Sequence, residues 1–338
     1  MMKIAQTSRT MVAAVVLMSL AGIGVGAQRG QGRVPPPPAA GAPPQGAPQG
    51  PGGGRGGPGG LAAINVPATN PLTPEKIATG KRLFFDESLS SDRKTSCATC
   101  HDPARAFTDG RAVARGVHNT AGTRNTPSLV NVGSGRSFFW DGRADSLEAQ
   151  ALQPMTNPKE MGLTNAEIES RTGMTTADVA AALASYMRTI RSRDSRYDWF
   201  RAGQTEMLTA DEKAGLDVFR GRGQCTVCHG GPNLTDDRFH NTGVGVRGGT
   251  PADAGRFVVT QDSRDQGAFK TPTLRDVALT APYMHDGSLA TLEDVVAFYS
   301  QGGVRNAGLD RRMRPLGLSA DEQRQLVAFL KALTGEKD

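Results

Sequence analysis

Apolar residues recur at helical spacing in several stretches between residues 61 and 338. The apolar positions of "VAAALASYMRTI" share one helical face and are Val179, Leu183, Tyr186, Met187 and Ile190. Those of "SADEQRQLVAFLKAL" form a similar stripe and are Leu326, Phe329, Leu330 and Leu333. Patterns typical of strands are sparse. The sequence therefore predicts an all-α fold with long glycine-rich loops.

Two of the predicted helices have a recognisable first turn. Thr209 and Glu212 in "TADEKAGLDVF" have the spacing of a capping box, and so do Ser319 and Glu322. In this motif the hydroxyl and the carboxylate accept hydrogen bonds from backbone amides that have no partner inside the helix. These residues predict where the two helices begin.

The N-terminus predicts export of the chain. Lys3 and Arg9 precede the apolar run "MVAAVVLMSLAGIGV", which is fifteen residues long and ends in the small-residue pattern "VGA". The run is short for a membrane span. We interpret residues 1–27 as a signal peptide cleaved after Ala27, which predicts a periplasmic protein.

Residues 28–60 are rich in proline and glycine and lack apolar periodicity, so they predict a disordered linker. The formal net charge of the chain is +6, but five basic residues and no acidic residue lie within 1–60. From residue 61 onward, 34 basic residues face 33 acidic ones. This balance argues against a nucleic-acid partner, which requires a basic surface.

All four cysteines of the chain lie in two C-x-x-C-H motifs. The motif residues are Cys97, Cys100 and His101, then Cys225, Cys228 and His229. This pattern is typical of covalent haem c, in which both sulfurs form thioether bonds and the histidine binds iron. Zinc and a redox dithiol are the alternatives. Each motif alone is a poor zinc site, and a dithiol does not need the histidine.

The chain also contains an internal repeat. "NTPSLVNV" matches "KTPTLRDV", and "WDGRADSLE" matches "HDGSLATLE". Pro127 lies fourteen residues before Asp141, and Pro272 lies fourteen residues before Asp286. We interpret the repeat as a duplicated unit and predict two haem domains, which comprise 61–204 and 205–338.

The register of the repeat allows the two halves to be compared position by position. Thirteen residues beyond Asp141 is Pro154, and thirteen beyond Asp286 is Tyr299. Proline has no metal-binding side chain, so the first haem is predicted to keep an open face. Tyrosine can bind iron and close the second haem. The alternative for Tyr299 is a helix residue that packs on the core.

The chain resembles the bacterial di-haem cytochrome c peroxidase and MauG family over residues 65–335. The resemblance rests on "LFFDESLSSDRKTSCATCHDPARAFTDGR", "FFWDGRADSLEAQALQPMTNPKEMG" and "FKTPTLRDVALTAPYMHDGSLATLEDVV". It implies two cytochrome c-like domains, with a peroxidatic haem in the N-terminal domain and an electron-transfer haem in the C-terminal domain.

The resemblance also implies roles for residues around the first haem. Trp140 matches the tryptophan that connects the haems electronically, and Glu160 matches the distal acid that moves protons during peroxide cleavage. Gln150 and Pro154 match distal positions of the MauG branch. A buried core tryptophan is the alternative for Trp140, and an exposed glutamate at a helix start is the alternative for Glu160.

The resemblance implies two further iron-binding positions, each with an alternative. Tyr299 matches the tyrosine that is the distal ligand of the second haem in MauG. The peroxidase branch has a methionine ligand instead, and Met284 is the alternative candidate for it. The repeat partner of Met284 is Phe139, which favours Tyr299. The distal histidine of classical family peroxidases aligns with Val117, one position from His118. His118 is either a displaced ligand of the first haem or an exposed loop residue.

The family pattern further implies a calcium ion held by Asn125, Thr280 and Pro282, whose oxygen atoms suit a hard cation. An asparagine in "RNTP" is alternatively a turn residue. A homodimer is left open.

The resulting prediction is a periplasmic peroxidase that reduces hydrogen peroxide to water. Electrons from a small cytochrome c or cupredoxin enter at the C-terminal haem and pass through Trp140 to the N-terminal haem. One alternative is MauG-like oxidation of a side chain in a partner protein, which Tyr299 and Gln150 favour. Another is a non-catalytic di-haem electron carrier, against which Glu160, Gln150 and Pro154 argue.

Overall fold

Helices and long irregular loops make up most of the computed structural model, which describes residues 60–337. The predicted signal peptide and all but the last residue of the predicted linker lie outside the described residues. The helices are α1 (Pro74–Phe84), α2 (Cys97–Cys100), α3 (Leu147–Thr156), α4 (Asn165–Thr172), α5 (Thr176–Thr189), α6 (Arg196–Arg201), α7 (Ala210–Arg220), α8 (Phe257–Thr260), α9 (Leu292–Ser300) and α10 (Ala320–Lys331).

Strands are confined to three short antiparallel pairs within residues 60–337. The strands are β1 (Ser192–Arg193), β2 (Phe239–His240), β3 (Val246–Arg247), β4 (Thr250–Pro251), β5 (Phe269–Lys270) and β6 (Glu336–Lys337). β1 pairs with β6, β2 with β5, and β3 with β4. The prediction of a mainly helical chain is confirmed.

The predicted helix starts are also confirmed. Thr209 and Glu212 form a capping box at the start of α7, and Ser319 and Glu322 form one at the start of α10. The two apolar stripes, on α5 with Ile190 just after it and on α10 with Leu333 just after it, are buried. None of the helices within 60–337 has both the length and the apolar composition that crossing a membrane requires.

Two helix pairs pack in the same way in the two halves. Gly80 of α1 lies so close to α5 that a β-carbon there would be 1.9 Å from the carbonyl oxygen of Ala182. Gly215 of α7 has the same relation to Gln325 of α10, also at 1.9 Å. Because only glycine allows this approach, each glycine fixes the crossing point of its helix pair.

Two hydrophobic clusters form the core of the described residues. The first extends from Leu83 to Ile190 and the second from Tyr197 to Leu333. Tyr197, which precedes the predicted boundary at 204, packs edge-on against Phe329 with ring centroids 5.3 Å apart. The division into two domains remains a prediction.

The two halves are joined by direct hydrogen bonds. Arg124 binds both carboxylate oxygens of Asp253, at 2.7 and 2.8 Å. The backbone amide of Lys270 donates to the carbonyl of Trp140 at 2.8 Å. Trp140 is therefore placed where the first half contacts the second.

Candidate haem sites

The histidines of the two motifs have the same environment. Nδ1 of His101 donates to the carbonyl oxygen of Phe107, and Nδ1 of His229 donates to that of Leu234, both at 2.9 Å. Burial lowers the pKa of both imidazoles. A neutral ring whose Nδ1 carries the proton leaves Nε2 free as a metal ligand. This geometry fits an axial iron ligand at each motif.

Three of the motif cysteines are held as neutral thiols. Burial raises the pKa of Cys97 to about 12, that of Cys100 to about 11 and that of Cys225 to about 12. Reactive dithiols act as thiolates, which require a lowered pKa. The environment therefore disfavours a redox dithiol and suits cysteines whose sulfurs end in thioether bonds.

A cavity of about 670 Å³ opens in front of His101. Its walls contain the first motif's cysteines and many apolar side chains, among them Leu129, Val130, Phe138, Leu183 and Met187. Gln150, Pro154 and Glu160 also line this cavity. An imidazole, two thiols and an apolar slot fit a covalently attached haem, and the three distal residues predicted from the sequence share its pocket.

Glu160 is a partly buried acid in this cavity. Asn157 donates from Nδ2 to Oε1 of Glu160 at 2.8 Å. Burial raises the pKa of Glu160, and the nearby Arg143 guanidinium and the Asn157 amide oppose that rise. Arg143 is held by Asp141 at 3.0 Å and lies 3.5 Å above the centre of the Phe139 ring. A carboxyl group in this setting can exchange a proton at higher pH than an ordinary glutamate.

Helix α3 carries the other two distal residues. Ser146 caps its start by accepting from the amide of Ala149. Oε1 of Gln150 is buried and has no hydrogen-bond partner in the described part of the chain. Buried polar atoms normally have partners, so this oxygen is available to a small polar ligand in the cavity. Pro154, inside the same helix, offers no side-chain ligand.

Trp140 lies in the cavity wall at the junction of the halves. Its Nε1 donates to the carbonyl oxygen of Asn125 at 2.9 Å. The backbone amide of Asn125 in turn donates to the carbonyl oxygen of His285 at 2.7 Å. The indole is therefore fixed in orientation, with the second half of the chain directly behind it.

The two rival ligands of the second haem lie in different places. Tyr299 of α9 is close to Cys225 and Cys228, and burial of its hydroxyl raises its pKa to about 12. Met284 instead lines the cavity in front of His101. The structure thus places Tyr299 beside the cysteines of the second motif and Met284 in the wall of the cavity that contains the first motif.

His118 is not brought to the first site. It is exposed, in a left-handed backbone conformation with φ 55°, and its amide donates to Asp92 at 3.1 Å. The neighbouring Val117 is buried instead. In this structure His118 is an exposed loop residue.

The predicted calcium residues lie together, but the side-chain amide of Asn125 presents its nitrogen, and not its oxygen, to the neighbouring carbonyl groups. Nδ2 of Asn125 donates to the carbonyl oxygens of Arg111 and Pro282, at 2.7 and 3.3 Å. Thr280 lines the same cavity. To bind a cation, the amide would have to be turned so that Oδ1 and the carbonyl oxygens point to the same ion. Calcium therefore remains a prediction.

Sequence reasoning missed a charged cluster beside the second motif. The ring nitrogens of His240 lie 2.9 Å from Asp236 and 2.9 Å from Asp310. Ligand atoms of Cys228, Asp236 and His240 lie within 4.8 Å of one another, which is close enough for a metal ion. Both imidazole nitrogens are engaged by carboxylates, however, so a structural cluster explains the geometry better than zinc. The four-residue spacing of Asp236 and His240 was the available signal.

Comparison with known proteins identifies the family. A family model described as di-haem cytochrome c peroxidase matches residues 74–206. The methylamine utilization protein MauG of Methylorubrum extorquens is 40% identical over 288 residues, which cover 80% of this chain and 81% of that protein. The chain belongs to the di-haem cytochrome c peroxidase and MauG family. It is therefore an oxidoreductase of this class.

Two further relatives show both branches of this family. The cytochrome-c peroxidase IdrP1 of Denitromonas iodatirespirans is 35% identical over 322 residues, which cover 82% of this chain and 86% of that protein. Among solved structures, a MauG-like protein associated with microbial copper homeostasis superposes with a TM-score of 0.75 and 37% identity. The superposition covers 82% of this chain and 93% of that one.

Proposed function

We propose that this chain is a periplasmic di-haem peroxidase that reduces hydrogen peroxide to water. Each molecule of peroxide consumes two protons and two electrons and gives two molecules of water. The electrons come from two molecules of a one-electron donor. The observation that supports the proposal is the grouping of Glu160, Gln150 and Pro154 in one cavity with the first C-x-x-C-H motif. An electron carrier has no use for an acid in an open pocket.

In this proposal each half binds one covalent haem c. The N-terminal domain, 61–204, carries the peroxidatic haem at His101, and the C-terminal domain, 205–338, carries the electron-transfer haem at His229. The matching histidine–carbonyl bonds and helix crossings of the two halves support this division. The haem at His101, when bound, supplies the electrons and the electrophilic iron that cleave the oxygen–oxygen bond.

The residues of the chain handle the proton and the substrate. Glu160 accepts a proton from one peroxide oxygen and returns it to the other, which then leaves as water. Gln150 accepts a hydrogen bond from the peroxide through its unpaired Oε1. Asn157 holds the carboxylate of Glu160 in place, and the Arg143 charge favours its ionised form.

Electrons would enter at the second half from a small cytochrome c or cupredoxin. Trp140 lies on the way to the first cavity, with its backbone bonded to Lys270 of the second half and its ring bonded to Asn125. A calcium ion at Asn125 and a homodimer remain predictions that this function does not require.

A second candidate is MauG-like oxidation of a side chain in a partner protein. Tyr299 favours it, because the phenol lies next to Cys225 and Cys228 where the peroxidase branch has methionine. Methionine ligation raises a haem potential, whereas a phenolate stabilises ferric iron. The relatives include proteins named for either branch.

The test mixes the purified di-haem protein with hydrogen peroxide and excess reduced small cytochrome c, and follows oxidation of the donor. Fast catalytic oxidation that depends on Glu160 supports the peroxidase. Negligible donor oxidation, with peroxide still consumed when a partner protein is added, supports the second candidate. Two low-spin, six-coordinate haems in every redox state would instead indicate a carrier.

A further inference from the structure

The loop between α9 and α10 is strongly basic. Residues 301–318, which we name the arginine loop, contain four arginines and a single acid, Asp310. Arg312 is paired with this acid by charged hydrogen bonds. Arg305, Arg311 and Arg314 are exposed and form no ion pair with any residue of the described part of the chain. The loop thus presents three uncompensated charges, although residues 61–338 are nearly neutral overall.

This loop is fixed beside the second C-x-x-C-H motif. The backbone amide of Asp310 donates to the carbonyl oxygen of Asn241 at 2.9 Å, and its carboxylate lies 2.9 Å from Nδ1 of His240. His240 in turn lies against Cys228 of the motif. A surface that is ordered before binding loses less conformational freedom when a partner docks.

Exposed apolar side chains accompany the arginines. Val227, which lies between the two cysteines of the motif, is 50% exposed. Val304, the neighbour of Arg305 on the loop, is 44% exposed. Apolar contact surrounded by a charged rim is the usual composition of a protein interface, and arginine is enriched there.

We propose that the arginine loop and Val227 form the docking surface for an acidic one-electron redox protein. The proposal rests on the peroxidase function and specifies its partner. Unpaired arginines attract a partner with a complementary acidic surface and repel a basic one. Docking at Val227 would bring that partner to the cysteines that carry the second haem, where one electron passes from the reduced partner to the chain. Two such encounters supply the electrons for one peroxide.

The test compares two donors that share one fold and one haem. The first is native lysine-rich cytochrome c, and the second is the same protein after succinylation, which replaces lysine ammonium groups with carboxylates. Their Kd values for the di-haem protein are measured by titration calorimetry, and their KM values in peroxide turnover, from about 20 to about 300 mM salt. Variant Arg305→Glu/Arg311→Glu/Arg314→Glu removes the proposed charge. Variant Lys81→Glu/Arg82→Glu/Lys94→Glu changes three exposed positions of the first half as a matched control.

We expect the succinylated donor to bind at least about tenfold more tightly than the native one at low salt, with a Kd that rises with salt. The loop variant should lose this preference and the control should keep it. Equal binding of both donors, or an equal effect of the two variants, would refute the docking surface. So would loop-dependent binding of phosphatidylglycerol vesicles without donor preference, which would assign the arginines to a membrane surface.

Hydroquinone, a small donor that needs no docking surface, separates this proposal from the peroxidase function. Peroxide turnover with hydroquinone should be the same in the wild type and the loop variant. Absence of turnover with every donor would refute the peroxidase function, whereas the Kd values would still decide the docking surface.

Discussion

Replacing Glu160 with glutamine tests the central step of the proposed function. The amide has the size of the carboxylate and keeps an oxygen that accepts from Asn157, whose bond to Glu160 is 2.8 Å long. It cannot accept and return a proton at neutral pH. The change therefore removes proton transfer and leaves the cavity shape and both haem attachments as they are.

The expected loss follows from what remains in the cavity. Gln150 can hydrogen-bond peroxide and Arg143 can balance charge, but neither exchanges a proton near neutral pH. General acid–base catalysis by a positioned group typically contributes about 10² to 10⁴ in rate. We expect kcat/KM for peroxide to fall about a thousandfold, which corresponds to about 4 kcal/mol of transition-state stabilisation.

The pH profile gives a second readout. Burial raises the pKa of Glu160 above the ordinary value of 4.5, and the ionised form is the one that accepts the proton. Wild-type kcat/KM should therefore fall as the pH drops through this raised pKa. Glu160→Gln should lack that acidic limb, because the group that titrates is gone.

The assay is oxidation of reduced cytochrome c by peroxide, with haem content measured for each variant. Glu206→Gln is the matched control, since Glu206 is exposed and lies outside the cavity. Full turnover and an unchanged pH profile in Glu160→Gln, at normal haem content, would show that Glu160 is not the proton carrier.

Three other changes test the second site and the scaffold. Tyr299→Phe should change the absorption spectrum and the reduction potential of the second haem, while its covalent attachment persists. An effect on thermal stability alone would show that the phenol only packs against its neighbours. Gly215→Ala should destabilise the protein by about 1–3 kcal/mol in urea unfolding, because the new methyl would lie 1.9 Å from the Gln325 carbonyl oxygen. Asp198→Asn should cost about 3–5 kcal/mol by the same measurement, because it leaves the buried Arg275 charge, now 2.8 Å from Asp198, without its partner.

The sequence was most informative where structure is determined locally. The C-x-x-C-H motifs place thiols and imidazole by chain connectivity alone, and the capping boxes at Thr209 and Ser319 involve residues three positions apart. The repeat then indicated Pro154, and the family resemblance indicated Gln150 and Glu160. Gln150 and Glu160, ten residues apart, reach one cavity because helix α3 and the turn that follows it fold over the same space.

Features that depend on tertiary packing were less accessible. The alignment could not decide whether His118 or Val117 turns inward, because that depends on the left-handed backbone at His118. The buried Arg275–Asp198 pair joins positions far apart in the sequence and follows no local pattern. The placement of Met284 on the first cavity likewise required the contact between the two halves.

The two halves share a backbone feature around the two haem sites that we propose. The backbones of Phe138 and Ala144 form an isolated antiparallel β-bridge in the first half, and those of Tyr283 and Leu289 form one at the matching place in the second. The frame is therefore the same, and the function of each site depends on side chains set into it. Where the first half has Trp140, the second has His285, which stacks 3.6 Å from the Phe269 ring and is buried.

The proposed function assigns a fixed direction to electron flow. The first half supplies an acid and an unpaired amide oxygen to the cavity, and we propose that both act on a small substrate. The second half has Tyr299 beside its cysteines and the arginine loop at its surface, to which we assign iron binding and partner docking in the two proposals. In the proposed function an electron received at the surface of the second half would pass Trp140, which is bonded to Lys270 of the second half and to Asn125 of the first, on its way to the cavity that contains Glu160.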